Sequence, residues 1–140
     1  VVAALAAALL LGGDPYPGFQ ARYLPFAGNS YRLIRLDDLR EYGHDVTSLL
    51  YPKRKEIVAI LRRAKEPGPF GERNAGLFLK VGREEWAVDA SGTVLAKGRS
   101  LKLADADFTE LRDFLMMRMP DLSEERAEIG RRLRRERTGD

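Results

Sequence analysis

The sequence predicts an α+β fold, a three-stranded antiparallel meander packed against two amphipathic helices, with an apolar segment before it and a charged helix after it. Three observations carry this expectation. Residues 76–98 hold three short apolar runs joined by compact glycine-bearing turns. Residues 52–65 and 108–119 each repeat apolar side chains at helical spacing. The composition, 44% hydrophobic and 32% charged, lies in the range of folded chains and away from the corner where disorder prevails.

Taken in order, Val1–Leu11 is an uninterrupted apolar run, shorter than the roughly 20 residues a bilayer span requires but of the length of a signal h-region. Beginning at Val1, it reads as the end of a longer hydrophobic segment. It lacks the polar face of a surface helix, so it is expected to anchor or export the chain, the alternative being an alanine-rich helix packed into the domain. Gly12 and Gly13 end the run. After it only Arg22 is basic for some distance, which favours an extracytoplasmic position for the rest of the chain; a packed helix would instead suit a cytoplasmic protein.

The domain boundaries come from these changes in composition: an apolar segment over 1–13, an aromatic and proline-rich linker over 14–30, a single α+β domain over 31–119 and a charged C-terminal helix over 120–140. The linker is expected to lie against the domain without regular structure. Tyr31–Leu36 reads as a further strand extending the meander, and Asp38 followed by Glu41 as the capping box of a short helix ending at Gly43. Pro52 opens a helix to Lys65 that buries Ile57, Ile60, Leu61 and Ala64 and leaves Lys53, Arg54, Arg62 and Arg63 outside. Glu66–Asn74 reads as a loop.

In the meander, Gly82-Arg83 and Asp89–Gly92 supply the turns. Leu77, Leu79 and Val81, then Trp86 and Val88, then Val94 and Ala96 each share a strand face, and Trp86 is expected to be buried. Asp107 with Glu110 caps a second core helix carrying Phe108, Leu111 and Leu115, whose methionines Met116, Met117 and Met119 are expected to fill core space. The last helix, opened by Asp121 and Glu124, has only Leu122, Ile129 and Leu133 to bury and is expected to project.

Function classes narrow by elimination. The chain contains no cysteine, which removes disulfides, thiolate metal sites and cysteine nucleophiles. His44 is the single histidine, so a multi-histidine metal site is excluded and any histidine base is this one. Asp45 and Ser48 stand near it, the raw material of a small hydrolase, but without a nucleophile-elbow glycine pattern. Paired carboxylates occur at Asp37-Asp38, Glu84-Glu85 and Asp105 with Asp107; capping and strand-edge protection give each a plainer role. Phosphate-cradling glycine motifs are missing, and no cofactor is expected.

Arg131, Arg132, Arg134, Arg135 and Arg137 form the densest basic cluster, interleaved with Glu124, Glu125, Glu128 and Glu136 that can pair within the helix. With a net charge of only +3 and interspersed signs, nucleic acid is not the expected partner, although a cytoplasmic nucleic-acid-binding or regulatory domain using these arginines is one alternative. The favoured expectation is a non-catalytic interaction domain, an accessory or assembly subunit of a larger complex. Leu5, Leu9 and Leu10 would meet lipid or another subunit, and Arg131, Arg132, Arg134 and Arg135 a protein or membrane surface.

Overall fold

The computed structural model describes residues 16–25, 33–71, 73–118, 128–129, 131–133 and 135–136. In chain order these form β1 (Gln20–Tyr23), α1 (Leu36–Tyr42), β2 (His44–Asp45), α2 (Thr47–Leu50), a 3-10 turn (Tyr51–Lys53), α3 (Arg54–Leu61), β3 (Glu66–Pro67), β4 (Ala75–Val81), β5 (Glu84–Asp89), β6 (Thr93–Ala96), β7 (Arg99–Lys102) and α4 (Asp105–Arg118). The fold is α+β, with an antiparallel sheet of seven strands ordered β2-β1-β4-β5-β6-β7-β3.

The meander lies at the centre of this sheet. Gly82 has φ +58° at the first position of the β4–β5 turn and Gly92 has φ +85° at the end of the β5–β6 turn, a backbone that glycine adopts without a Cβ penalty. The registers pair Leu77 with Val88, Leu79 with Trp86, Trp86 with Ala96 and Val88 with Val94, so the apolar faces coincide. On that face they pack with Ala21 and Tyr23 of β1, Ile57, Val58, Ile60 and Leu61 of α3, and Leu111 and Leu115 of α4. Trp86 is buried there as expected.

The sheet exceeds the expected meander on both sides. Lys97 (φ +52°) and Gly98 (φ +73°) form a further two-residue hairpin turn that leads into β7. On the other flank, the stretch 14–30 supplies β1, paired with β4 over Gln20–Lys80 to Tyr23–Leu77, where an irregular linker was expected. Glu66–Pro67, within the expected loop, pairs with Lys102 and Leu101 as an edge strand, a place where proline's missing N–H is tolerated.

The second face is covered as well. Leu24, Ile34, Leu39, Ala75, Phe78, Ile129 and Leu133 form a separate buried cluster on the α1 side. A bulge at Gly76 lets Ala75 turn to this cluster while Leu77 faces the main core. Residues 128–129, 131–133 and 135–136 are helical, and burial of Ile129 and Leu133 corrects the expectation of a projecting last helix: two apolar side chains one turn apart suffice when the sheet offers Phe78 as a seat.

Other boundaries shift for local reasons. The strand expected over 31–36 is corrected within the described residues: Arg35 N–H donates to the buried Asp38 Oδ2 at 2.9 Å, and that bond opens α1 at Leu36. Asp38 therefore acts from the first turn of α1 instead of preceding it. Ile34 bonds to the sheet region through its N–H to Asn74 Oδ1 (2.7 Å) and its carbonyl to Ala75 N–H (2.9 Å) without forming a strand. The α3 helix stops at Leu61, short of Lys65, because Arg63 and Ala64 donate to Ile60 and Leu61 in a tightened final turn and Lys65 N–H turns to Lys102. The α4 helix starts before Asp107, with Phe108 N–H on the Ala104 carbonyl.

Candidate functional site

The sequence offers His44, Asp45 and Ser48 as the most reactive neighbourhood. Gly43 places it: its N–H closes α1 on Leu39, a Cβ there would collide with the Leu39 carbonyl, and its own carbonyl accepts from Arg22 Nη1 at 2.9 Å. The chain then enters β2, with His44 opposite Tyr23 and Asp45 opposite Arg22. Asp45 Oδ1 accepts from Thr47 N (3.0 Å) and Thr47 Oγ1 (2.6 Å), while that hydroxyl oxygen accepts from Ala21 N (3.1 Å). These bonds from Thr47 hold the Asp45 carboxyl below the usual carboxylate range.

The carboxyl is thus committed to starting α2, and the neighbouring His44 has its Nε2 buried without a hydrogen-bond partner. Ser48 is exposed and, with Asp45, Thr47, Phe19, Gln20 and Arg22, lines a polar depression of about 620 Å³. The structure brings Asp45 and Ser48 to one depression but does not assemble them with His44 into a nucleophile, base and orienter. Replacing His44 with alanine is therefore expected to leave the fold intact, with stability changed by less than about 1 kcal/mol. Thermal unfolding of His44→Ala checks this, and a larger loss would give the imidazole a structural task that the bonds around it do not reveal.

The carboxylate pairs are likewise divided. Asp37 is exposed, 3.7 Å from Arg40, while its neighbour Asp38 is buried on the Arg35 amide. Adjacent strand residues point to opposite faces, so Glu84 meets Arg62 beside α3 (3.7 Å) and Glu85 meets Arg40 of α1 (2.8 Å). Asp107 accepts from Arg63 Nη1 at 3.1 Å, joining α4 to the end of α3. Among the described residues no group of three or more His, Asp or Glu side chains is placed to hold a metal ion.

A groove of about 350 Å³ lies on the second face of the sheet, where α1 stops short of β6. Its floor is Phe78, Ala87 and Leu95, and Leu36 and Arg40 form one wall. Arg40 lies 5.1 Å from the Phe78 ring centre while its guanidinium holds Glu85, so this wall is tied to the floor.

Of the basic cluster, Arg131 donates from Nε (3.1 Å) and Nη2 (2.7 Å) to Glu128, and Arg135 stands 3.6 Å from the same carboxylate. Arg131 holds the Glu128 carboxyl below its ordinary range. Arg132 lies 5.7 Å from the Tyr42 ring centre, and Tyr42 donates to Glu136 at 3.1 Å; partial burial and that carboxylate push the Tyr42 phenol above its ordinary range. The intrahelical pairing expected from the interleaved glutamates is present. Leu5, Leu9, Leu10 and Arg134 lie outside the described residues.

One surface was not anticipated. Met116 and Met117, expected to fill the core, are 66% and 83% exposed, and Leu49 and Tyr51 are 51% and 41% exposed. Met116 and Met117 belong to the last turn of α4, Leu49 to α2 and Tyr51 to the 3-10 turn. The α3 and α4 helices run antiparallel, with Arg63 beside Asp107 at one end and Lys53 sharing a small cavity with Phe114 toward the other. The last turn of α4 therefore passes the Tyr51–Lys53 turn. Leu111 and Leu115 take the buried side of α4, which leaves Met116 and Met117 on the outside at one-residue spacing.

The same end receives the chain from its N-terminal side. Arg54 lies 3.8 Å from the Tyr51 ring centre and 5.8 Å from that of Tyr16, and its Nη1 donates to the Tyr51 carbonyl at 2.7 Å. Phe19 meets Tyr51 edge-on at 6.0 Å. Lys53, Arg54 and Lys55 crowd the first turn of α3, where the helix dipole favours anions. The run of basic residues beside Tyr51 was the available sequence signal. No described helix is long and apolar enough to cross a membrane. Comparison with protein-family models, curated proteins and solved structures gives no match to this chain.

Proposed function

We propose that this chain is a non-catalytic interaction domain, held at a membrane or exported through Val1–Leu11 and acting as an accessory or assembly subunit of a larger complex. The observation that supports this reading is the exposure of four large apolar side chains, Leu49, Tyr51, Met116 and Met117. Methionine side chains are flexible and polarisable, and suit surfaces that adapt to a partner. The polar groups that a hydrolase would recruit serve the fold: Asp45 starts α2, and Glu84, Glu85 and Asp107 bind arginines.

In this reading Val1–Leu11, with Leu5, Leu9 and Leu10, meets lipid or another subunit, and Arg131, Arg132, Arg134 and Arg135 add a charged contact at the far end of the chain. Covering each leucine or valine of the run stabilises by roughly 1.5 to 3 kcal/mol, so an uncovered run would be strongly unfavourable in water. Deleting residues 1–13 is expected to leave a soluble domain that unfolds cooperatively with nearly unchanged stability and no longer fractionates with membranes or with its complex. Denaturant unfolding and cell fractionation of the deletion beside the full chain test this. Loss of several kcal/mol, or failure to fold, would make the run a core helix and remove the anchoring role.

A further inference from the structure

We propose that the groove floored by Phe78, Ala87 and Leu95 seats an acidic segment of a partner protein, one apolar side chain entering the groove while neighbouring carboxylates meet Arg83 and Lys97 at its rim. The site does not depend on where Val1–Leu11 lies, so its failure would leave the anchoring reading untouched.

Floor and rim line one and the same groove. Strand alternation puts the three floor residues on one face, Phe78 opposite Ala87 and Ala87 opposite Leu95. At about 350 Å³ the groove stands at the lower limit of small-molecule pockets, with room for a single anchoring side chain. Its rim carries the charge. Successive hairpins reverse the chain, so the Gly82-Arg83 and Lys97-Gly98 turns stand at the same end of the sheet, and both cations are exposed. The carboxylates of this region already have arginines: Glu85 and Asp37 meet Arg40, and Glu84 meets Arg62. Among the described residues Arg83 and Lys97 have no carboxylate partner. A segment that brings an apolar side chain together with carboxylates complements both parts of the site, whereas a basic or wholly apolar segment complements only one. Lys97 supplies a second, independent sign. It is the one non-glycine among the described residues with positive φ (+52°), a turn position that asparagine or glycine fills with less strain. Lysine adds nothing to the turn itself; what it adds there is charge beside the groove.

The test follows amide chemical shifts of the full chain in nonionic detergent at low salt. The probe is a capped pentapeptide, a phenylalanine flanked on each side by two aspartates. Saturable shifts are expected at Phe78, Ala87, Leu95 and Lys97. Alanine in place of the probe's phenylalanine should weaken binding about tenfold, and lysines in place of its aspartates should abolish it. Lys97→Asn combined with Arg83→Gln should weaken binding by about fivefold or more. Lys97→Asn alone should at the same time raise the thermal unfolding midpoint, because asparagine enters the left-handed region more readily, so loss of binding cannot be ascribed to loss of fold. Equal binding of the lysine peptide, undiminished binding by the double variant, shifts confined to other residues, or no saturation at millimolar probe would each overturn the proposal. The same shifts produced by raising the protein concentration without peptide would assign the groove to a second copy of the chain and likewise overturn it.

Discussion

Replacing Trp86 with alanine is expected to destabilise the fold by about 3 to 5 kcal/mol. The indole is 5% exposed at the centre of the sheet, with Leu79 across from it on β4 and Ala96 on β6. It shares its face with the residues of α3 and α4, and Arg62 lies 6.0 Å from its ring centre. Ala96 leaves the neighbouring space that the indole occupies, so truncation removes the filler between two helices and three strands, and the surrounding backbone ladders limit collapse. Against a usual total of about 5 to 15 kcal/mol, this change would leave little in reserve. Urea unfolding followed by far-ultraviolet circular dichroism is the appropriate measurement, since Trp86 is the only tryptophan. A cost below about 1 kcal/mol would mean that the helices do not depend on this contact.

How far such a contact can be foreseen depends on how local its causes are. The meander was legible because its turns are written in single residues: Gly82 and Gly92 occupy positive φ, and alternation between them assigns each side chain a face. The β7 strand had a comparable turn at Lys97-Gly98, but Arg99–Lys102 has only Leu101 as an apolar residue within its bounds, and the pattern fades there. β1 was not legible at all. Its residues Gln20–Tyr23 sit among prolines and glycines, and its place in the sheet is set by pairing with β4, more than fifty residues later, which no local pattern encodes. Helix starts were displaced because Asp38 and Asp107 work from within the first turn, and a carboxylate near a helix start does not by itself say which side of the boundary it occupies.

The candidate surface divides in the same way. That His44, Asp45 and Ser48 lie close together could be read from the sequence, but the hold of Thr47 on Asp45 depends on the path of β2 into α2. The intrahelical pairing of Arg131 with Glu128 is a consequence of their spacing. Exposure of Met116 and Met117 follows from helix phase: Leu111 and Leu115 take the buried side of α4 and the next two positions turn away from it, a consequence of spacing that the apolar character of methionine obscures.

Replacing Asp89 with alanine is expected to cost about 3 to 4 kcal/mol, comparable to the loss of the tryptophan although far fewer atoms are removed. Asp89 is fully buried at the end of β5. Its Oδ1 accepts from Ser91 N (2.9 Å), Ser91 Oγ (2.6 Å) and Thr93 N (3.1 Å), and its Oδ2 from Gly71 N (3.3 Å). Alanine leaves these donors behind, and a buried donor without an acceptor costs about 1 to 3 kcal/mol. Water can reach the partly exposed Ser91 and Gly71, so the Thr93 amide, at a buried residue, bears most of the loss. The consequence extends beyond the turn. Gly92 accepts from Leu103 N at 3.0 Å, and a Cβ at Gly92 would stand 3.0 Å from the Phe108 ring, so this turn also seats the start of α4. Asp89→Asn keeps an acceptor at the Oδ1 position and forfeits chiefly the Gly71 bond, and should therefore retain more than half of the stability that Asp89→Ala loses. Amide exchange read at Thr93, Leu103 and Phe108 should accelerate together in Asp89→Ala and much less in Asp89→Asn. Equal destabilisation by the two variants would show that the carboxylate's charge, and not the acceptor at Oδ1, holds the turn, and the pairing of β5 with β6 would then need a different physical basis.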